Sequence, residues 1–157
     1  MPKINVRRKG NQFERDLANL LNEKLVDSTW KRIPGSGAIG TQLGMGQLTS
    51  DLVGVLPFTK KTIKLEAKVG YGGDKQLTIK KEWLDKIKMQ AETTYSIPVL
   101  CCKFSGAREG TKIFFVLDFD TFCDFLNLTT DLYQELEETI DKLPKVWYNV
   151  LKGVLYG

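Results

Sequence analysis

The chain of 157 residues contains no histidine. That absence removes the Ser-His and Cys-His nucleophile systems, and any zinc site built on imidazole, in one step. A metal held by this chain must sit among carboxylates and carbonyl oxygens, which suit hard divalent cations. Cysteine is scarce. Cys101, Cys102 and Cys123 are odd in number and stand in apolar surroundings, so free thiols in a reducing compartment are expected rather than disulfides. No apolar run approaches the ~20 residues that span a bilayer, and the first residues hold no signal-peptide core, so neither membrane insertion nor export is expected. Repeats, low-complexity runs and interdomain linkers are missing as well.

What remains is ordinary in bulk, with 42% apolar and 27% charged residues and enough length for one domain with a core. The charge is uneven. Residues 129–143 hold five acids against Lys142, a net of −4, which leaves +8 on the rest of a chain whose total is +4. Basic clusters stand at Arg7-Arg8-Lys9, Lys31-Arg32, Lys60-Lys61, Lys80-Lys81 and Lys86/Lys88. Such a distribution suits a polyanionic partner.

Between Asn11 and Leu25 the residues Phe13, Leu17, Leu20, Leu21 and Leu25 recur at helical spacing, which predicts an amphipathic helix. STWKRI (residues 28–33) predicts a short strand, and the five glycines of PGSGAIGTQLGMGQ (34–47) predict a long loop. Strands are expected at about residues 51–56 and 62–69, joined by PFTKK. A GYGG bend then leads to a helix from about Ile79 to Thr93, with Ile79, Trp83, Ile87 and Ala91 on one face. IPVLCCKF and TKIFFVLDF are continuously apolar and are expected at the centre of a sheet. Asp120 reads as the N-cap of a short helix, and Leu132, Leu136, Ile140 and Leu143 mark another that Pro144 ends. The order is an α-β-β-β-α-β-β core with extra C-terminal helices: an α/β domain whose mixed central sheet is flanked by helices. A core domain over 1–128 and a helical extension over 129–157, packed on the same domain, are expected.

Residues 35–40 fit the dinucleotide fingerprint G-x-G-x-x-G, but Pro34 precedes them and two further glycines discourage a helix, so no nucleotide cofactor is expected. The strand 62–69 is more informative. Alternation puts Thr62, Lys64, Glu66 and Lys68 on one face and Ile63, Leu65, Ala67 and Val69 on the other. By itself this is an amphipathic strand with a wet face. Two further acids alter that reading. Asp51 is the only acid between Asp27 and Glu66, and strand pairing across PFTKK brings the two carboxylates together. Glu14 falls within the angular sector of the apolar stripe, ~55° from its centre. A carboxylate there must reach solvent or find a buried partner, because burial alone costs several kcal/mol. Two carboxylates converging on a divalent cation serve phosphodiester hydrolysis. A lysine two residues on, from the same face, can orient water or stabilise developing charge.

Glu14, Asp51 and Glu66-Ala67-Lys68, with fourteen residues between Asp51 and Glu66, resemble the PD-(D/E)XK nuclease superfamily and its restriction-endonuclease-like fold. Within it the chain looks like the archaeal-type Holliday-junction resolvases and their phage relatives. The likeness spans about residues 7–120: a basic RRKG start, the helix GNQFERDLANLL, the Ser/Gly-rich PGSGAIG, the aspartate strand, IKLEAK, a helix and PVLCCKF. The family's Pro-Asp is Ser50-Asp51 here. This resemblance implies that Asp51 and Glu66, with the Ala67 carbonyl, hold Mg²⁺ or Mn²⁺ in its place. Lys68 would assist the attacking water, and Glu14 would complete the acidic cluster. Arg7, Arg8, Lys9, Lys31, Arg32, Ser36, Gln76, Lys80 and Lys81 would contact DNA. Resolving a four-way junction takes two symmetric nicks, which implies a C2 homodimer, with Trp147, Tyr148 and the apolar residues 150–156 in its interface. The expected activity is therefore metal-dependent cleavage of branched DNA, in recombination and repair, in the cytoplasm of a prokaryotic or phage-infected cell. Two rivals stay open on the residues alone: a flap- or restriction-type endonuclease with the same centre, and a non-catalytic basic module that binds nucleic acid.

Overall fold

In the computed structural model, which describes residues 6–35, 49–55, 61–106 and 112–144, the apolar periodicities become a mixed sheet between helices. In chain order the elements are α1 (Val6–Lys24), β1 (Thr29–Arg32), β2 (Leu52–Val55), β3 (Thr62–Val69), α2 (Lys81–Glu92), β4 (Ile97–Lys103), β5 (Ile113–Val116) and α3 (Phe119–Asp141). The strands lie in the order β1-β2-β3-β4-β5. β1, β2 and β3 pair antiparallel, β3 and β4 run parallel with α2 as their crossover, and β5 returns antiparallel to β4. This is the mixed α/β sheet that the element order implied. Two compact units result, Met1–Asp118, which holds the whole sheet, and Phe119–Gly157.

The two faces of the sheet receive different helices. Phe13, Leu17 and Ala18 of α1 pack on Trp30, Leu52, Ile63, Leu65, Val99 and Cys101. Trp83 of α2 packs on the opposite face, against Leu100 and Cys102. Consecutive strand residues point to opposite faces, so Cys101 and Cys102 serve different cores. All three cysteines are free, and burial pushes the Cys101 thiol up to about 12 and raises that of Cys102. The lower end of α1 is tied to β1 by Asn22, whose Oδ1 accepts from the Trp30 N–H at 2.8 Å and whose Nδ2 donates to the Trp30 carbonyl at 3.0 Å.

Three expectations need correction. β5 is an edge of the described sheet, not its centre, and Phe114 and Phe115 are exposed. A continuous apolar run does not by itself distinguish the two positions. The two helices expected after Asp120 are one, Phe119–Asp141, so the expected boundary after residue 128 falls inside it. No glycine or proline interrupts the segment, and Thr129 and Thr130 donate their hydroxyls to the Leu126 carbonyl at 2.7 and 3.0 Å, bonding back within the helix. α2 starts at Lys81, which leaves Ile79 before it and exposed, while Trp83, Ile87 and Ala91 are buried as the spacing predicted. Ser36, most of the glycine segment and the apolar tail from Trp147 lie outside the described residues. Among the described residues no helix is long and apolar enough to cross a membrane.

Gly54 explains a weak spot in the strand sequence LVGV. It pairs with Trp30 across β1 and β2, and a Cβ built on it would lie 2.5 Å from the indole ring. Glycine is what allows the ring to lie against the strand. Gly54→Ala must push the indole out of the core, and is expected to lower stability by about 1–3 kcal/mol, the usual cost of overpacking. Urea unfolding measures this as a lower midpoint at unchanged slope.

Candidate active site

Strand register sets the centre of the site. β2 and β3 pair Leu52 with Leu65 and Val53 with Lys64, and one step further Asp51 stands opposite Glu66. The backbone holds Asp51 from both sides. Its Oδ2 accepts the Ala67 N–H at 2.9 Å, and its carbonyl accepts the Ile33 N–H at 2.8 Å.

Lys64, Glu66 and Lys68 share one face of β3, as alternation required, but that face is not wet. α2 lies across it, and Lys64 and Glu66 are only 1% and 2% exposed. The Lys64 ammonium donates to the Gln90 carbonyl at 2.9 Å and to Thr49 Oγ1 at 3.3 Å. Glu66 Oε1 accepts from Lys68 at 2.6 Å and from Lys86 at 3.0 Å. Lys68 also sits over the Trp83 ring, 5.6 Å from its centroid. Trp83, Lys86, Ile87 and Gln90 fall at i, i+3, i+4 and i+7, so one helix face delivers all of these contacts. Sequence reasoning missed Lys86. Helical spacing gave little signal for it, because at ~100° per residue Lys86 falls just outside the stripe of Ile79, Trp83, Ile87 and Ala91, unlike Glu14 within its own.

Charge at the site is unbalanced. Burial, then the neighbouring Glu66 charge, raise Asp51 from 3.8 to about 6; Glu14 adds to this, and the Ala67 N–H and Lys68 oppose it. For Lys68, burial pulls downward, but the charge and hydrogen bond of Glu66, then the charge of Asp51, outweigh it and leave the pKa raised. Lys68 is therefore an ammonium at neutral pH, able to donate and to offset negative charge. Burial lowers the pKa of Lys64. Glu66 Oε2 is buried with no hydrogen-bond partner. A buried carboxylate oxygen without a hydrogen bond, on a residue opposite a second, reluctantly ionised carboxylate, is a donor set that suits a hard divalent cation.

Glu14 is placed differently from the expected cluster. Its Oε2 accepts Arg32 Nε at 2.5 Å, and Arg32 Nη2 reaches Asn11 Oδ1 at 3.1 Å. Among the described residues no group of three or more acids or cysteines is close enough to hold a metal, so Glu14 acts on Asp51 through its charge. Arg32 is turned toward Glu14. Of the other candidate DNA contacts, Lys31 lines a cleft of about 650 Å³ with Thr29, Val53, Thr62 and Lys64, on the same sheet face as Glu66. Arg8 and Lys9 line a second cleft of about 650 Å³ with Lys103 and Ser105, and Lys9 donates to Ser105 Oγ at 2.8 Å. Arg7 and Gln76 are exposed. Lys80 lies over Trp83 at 5.8 Å and pairs with Glu82, while Lys81 pairs with Asp85 at 2.6 Å. Ser36 lies outside the described residues.

Two acids opposed on neighbouring strands of a mixed sheet, with Glu-x-Lys on the inner strand, are the arrangement that the sequence resemblance to PD-(D/E)XK nucleases implied. A family described as "Phage putative PDDEXK endonuclease" matches residues 5–151, and the chain belongs to that family of endonucleases. Among solved structures the chain is similar to Archaeoglobus fulgidus Hjc, a Holliday junction resolvase from an archaeal hyperthermophile. The identity is 18% and the TM-score 0.48, over 68% of this chain and 73% of that one. No curated protein matches the chain significantly.

The raised pKa of Asp51 has a consequence for stability. A folded carboxyl that titrates above its unfolded value favours the protonated form, so its contribution is fully present below about pH 4 and is lost as pH rises through about 6. At neutral pH the ionised Asp51 therefore destabilises the fold, by up to about 3 kcal/mol at ~1.4 kcal/mol per unit. Asp51→Asn keeps an acceptor for the Ala67 N–H and loses the charge. The metal-free variant is expected to melt above wild type at pH 7.5 and to lose that advantage at pH 4. Thermal unfolding at both pH values checks it; equal melting temperatures at pH 7.5 would contradict the assignment.

Proposed function

We propose that the protein is a divalent-metal-dependent endodeoxyribonuclease that cuts four-way DNA junctions by paired symmetric nicks. The observation that carries the catalytic reading is the opposition of Asp51 and Glu66, with Glu66 Oε2 left without a partner beneath two lysines. Asp51 and Glu66 would hold Mg²⁺, or Mn²⁺ in its place, with the Ala67 carbonyl as a third donor. The bound ion would supply Lewis acidity at the scissile phosphate and offset the charge that accumulates there. Lys68, held protonated by Glu66, orients the attacking water through its N–H donors and stabilises charge on the phosphate as the P–O bond breaks. Glu14 keeps Arg32 at the edge of the site and adds negative potential at Asp51.

The junction preference rests on the sequence likeness to resolvases, carried by the basic start, the first helix and the glycine segment. The basic groups Arg7, Arg8, Lys9, Lys31, Lys80 and Lys81, with the neutral amide of Gln76, would grip phosphates, so recognition is of shape and backbone rather than bases. Two cuts in opposed strands require two sites, which a C2 homodimer supplies. The setting that fits is the cytoplasm of a phage-infected or prokaryotic cell.

A labelled four-way junction, a linear duplex and a flap, each incubated with Mg²⁺ or EDTA, test this. Paired nicks only in the junction and only with metal are expected. Asp51→Asn and Lys68→Ala are expected to lose about 10²-fold or more in rate, the scale of removing one charged group from a phosphoryl site. Cutting of flaps or linear duplex would leave the endonuclease and remove the junction assignment; no cutting with either Mg²⁺ or Mn²⁺ would leave a binding module. Junction affinity is expected to fall steeply with salt, and light scattering at micromolar concentration should return twice the 17.8 kDa chain mass.

A further inference from the structure

Lys86 touches the central carboxylate, yet neither the motif nor the proposed roles require it. It comes from the middle of α2, not from the strands, and reaches Glu66 Oε1 at 3.0 Å. The same oxygen already accepts from Lys68 at 2.6 Å, so two ammonium groups converge on one oxygen while Oε2 of the same carboxylate has no partner. The two lysines differ in setting. Lys68 has a side chain 19% exposed and is packed against Trp83; Lys86 has a side chain 42% exposed and stands at the solvent side of the pair.

A lysine that must serve water and phosphate cannot do so while it is the only cation satisfying a buried carboxylate. Removing one partner from such a pair leaves an uncompensated buried charge, a penalty of several kcal/mol. With a second ammonium on Oε1 that penalty is avoided. Resting on the nuclease reading above, we infer that Lys86 is a positioning residue. It retains Glu66 Oε1 and so releases Lys68 to turn toward the attacking water and the scissile phosphate. The duty of holding the carboxylate and the duty of serving the reaction are thus divided between helix and strand. Lys86 touches neither substrate nor reacting atoms in this arrangement; it acts through Glu66.

The charge of Lys86 also opposes a cation at Glu66, which separates this role from a merely structural one. In Lys86→Gln, Mn²⁺ measured by titration calorimetry is expected to bind about three- to tenfold tighter, because a nearby positive charge has been removed. Single-turnover cleavage at saturating metal is expected to fall about ten- to hundredfold, because Lys68 stays captive on Glu66. Junction affinity in EDTA should change by less than about threefold, the loss expected of one exposed phosphate contact being larger and salt-dependent. Lys86→Arg, which keeps charge and donors, should restore wild-type metal affinity and most of the rate. Unchanged or weaker Mn²⁺ binding in Lys86→Gln overturns the inference, as does a wild-type cleavage rate, or a defect confined to junction binding. If the wild-type protein cuts no DNA, the nuclease reading fails by itself, and the calorimetric comparison still decides whether Lys86 acts on Glu66.

Discussion

One burial shapes the rest of the molecule: β3 turns a charged face, Lys64, Glu66 and Lys68, toward a helix instead of toward water. Each unpaired ion taken out of water costs several kcal/mol, so the arrangement depends on partners arriving in step. Two residues along a strand advance ~6.6 Å, and three to four along a helix advance ~5 Å. Gln90, Lys86 and Trp83, spaced by four and then three, therefore keep pace with Lys64, Glu66 and Lys68, spaced by two. The match needs α2 to run antiparallel to β3. That direction follows from the topology, because α2 is the crossover between parallel β3 and β4 and must return along them. Sequence spacing, connection and electrostatics agree on one placement.

The opposite face of the sheet has no such demands. α1 meets it with Phe13, Leu17 and Ala18, and the strands answer with Trp30, Leu52, Leu65 and Cys101. Burial there is apolar on both sides, and Gly54 even gives up a side chain so that Trp30 can lie flat. The same five-stranded scaffold thus carries stability on one face and ionisable groups on the other. Asp51 joins the two, since its carboxylate is fixed by the backbone of Ala67, a residue whose own side chain belongs to the apolar side. A change that slips β3 by one residue would exchange the faces and lose both functions at once.

The parts of this picture that were legible in the sequence are those with a period. Alternation placed Glu66 and Lys68 together, helical spacing placed Trp83, Ile87 and Ala91 together, and the isolation of Asp51 singled out the residue that register brings opposite Glu66. Periodicity says which residues share a face and not what covers it. Hence Lys64 looked wet and is buried, and the apolar β5 looked central and lies at an edge. Glu14 was legible as an oddity on an apolar stripe, but its partner was not, because Arg32 reaches it across 18 residues of chain. Lys86 falls beside the apolar stripe of α2, not on it, and reads from sequence only as one member of a basic cluster. The Asp120 start and the apolar spacing of Leu132, Leu136, Ile140 and Leu143 read as two helices, while the structure runs through them as one, α3, with the Thr129 and Thr130 hydroxyls bonded to the preceding turn.

The energetics of the centre argue for its use. A buried carboxylate oxygen without a hydrogen bond costs more than a neutral group would, and an apolar residue of similar volume at position 66 would commonly be no worse for stability. Asp51 carries a second cost, since burial and Glu66 hold it away from its ordinary ionisation. Both costs fall on neighbouring residues of paired strands, and both are relieved by positive charge placed between them. Lys68 offsets part of the cost at Asp51 and leaves its pKa raised all the same. Lys68 and Lys86 both bind Glu66 on Oε1, and Lys64 is turned to Gln90 and Thr49. A fold that already brings three ammonium groups to this face still leaves Glu66 Oε2 without a partner. Charge of the right sign is therefore abundant at the site, and an unmet acceptor on Glu66 beside a reluctantly ionised Asp51 is a donor set that suits a hard divalent cation.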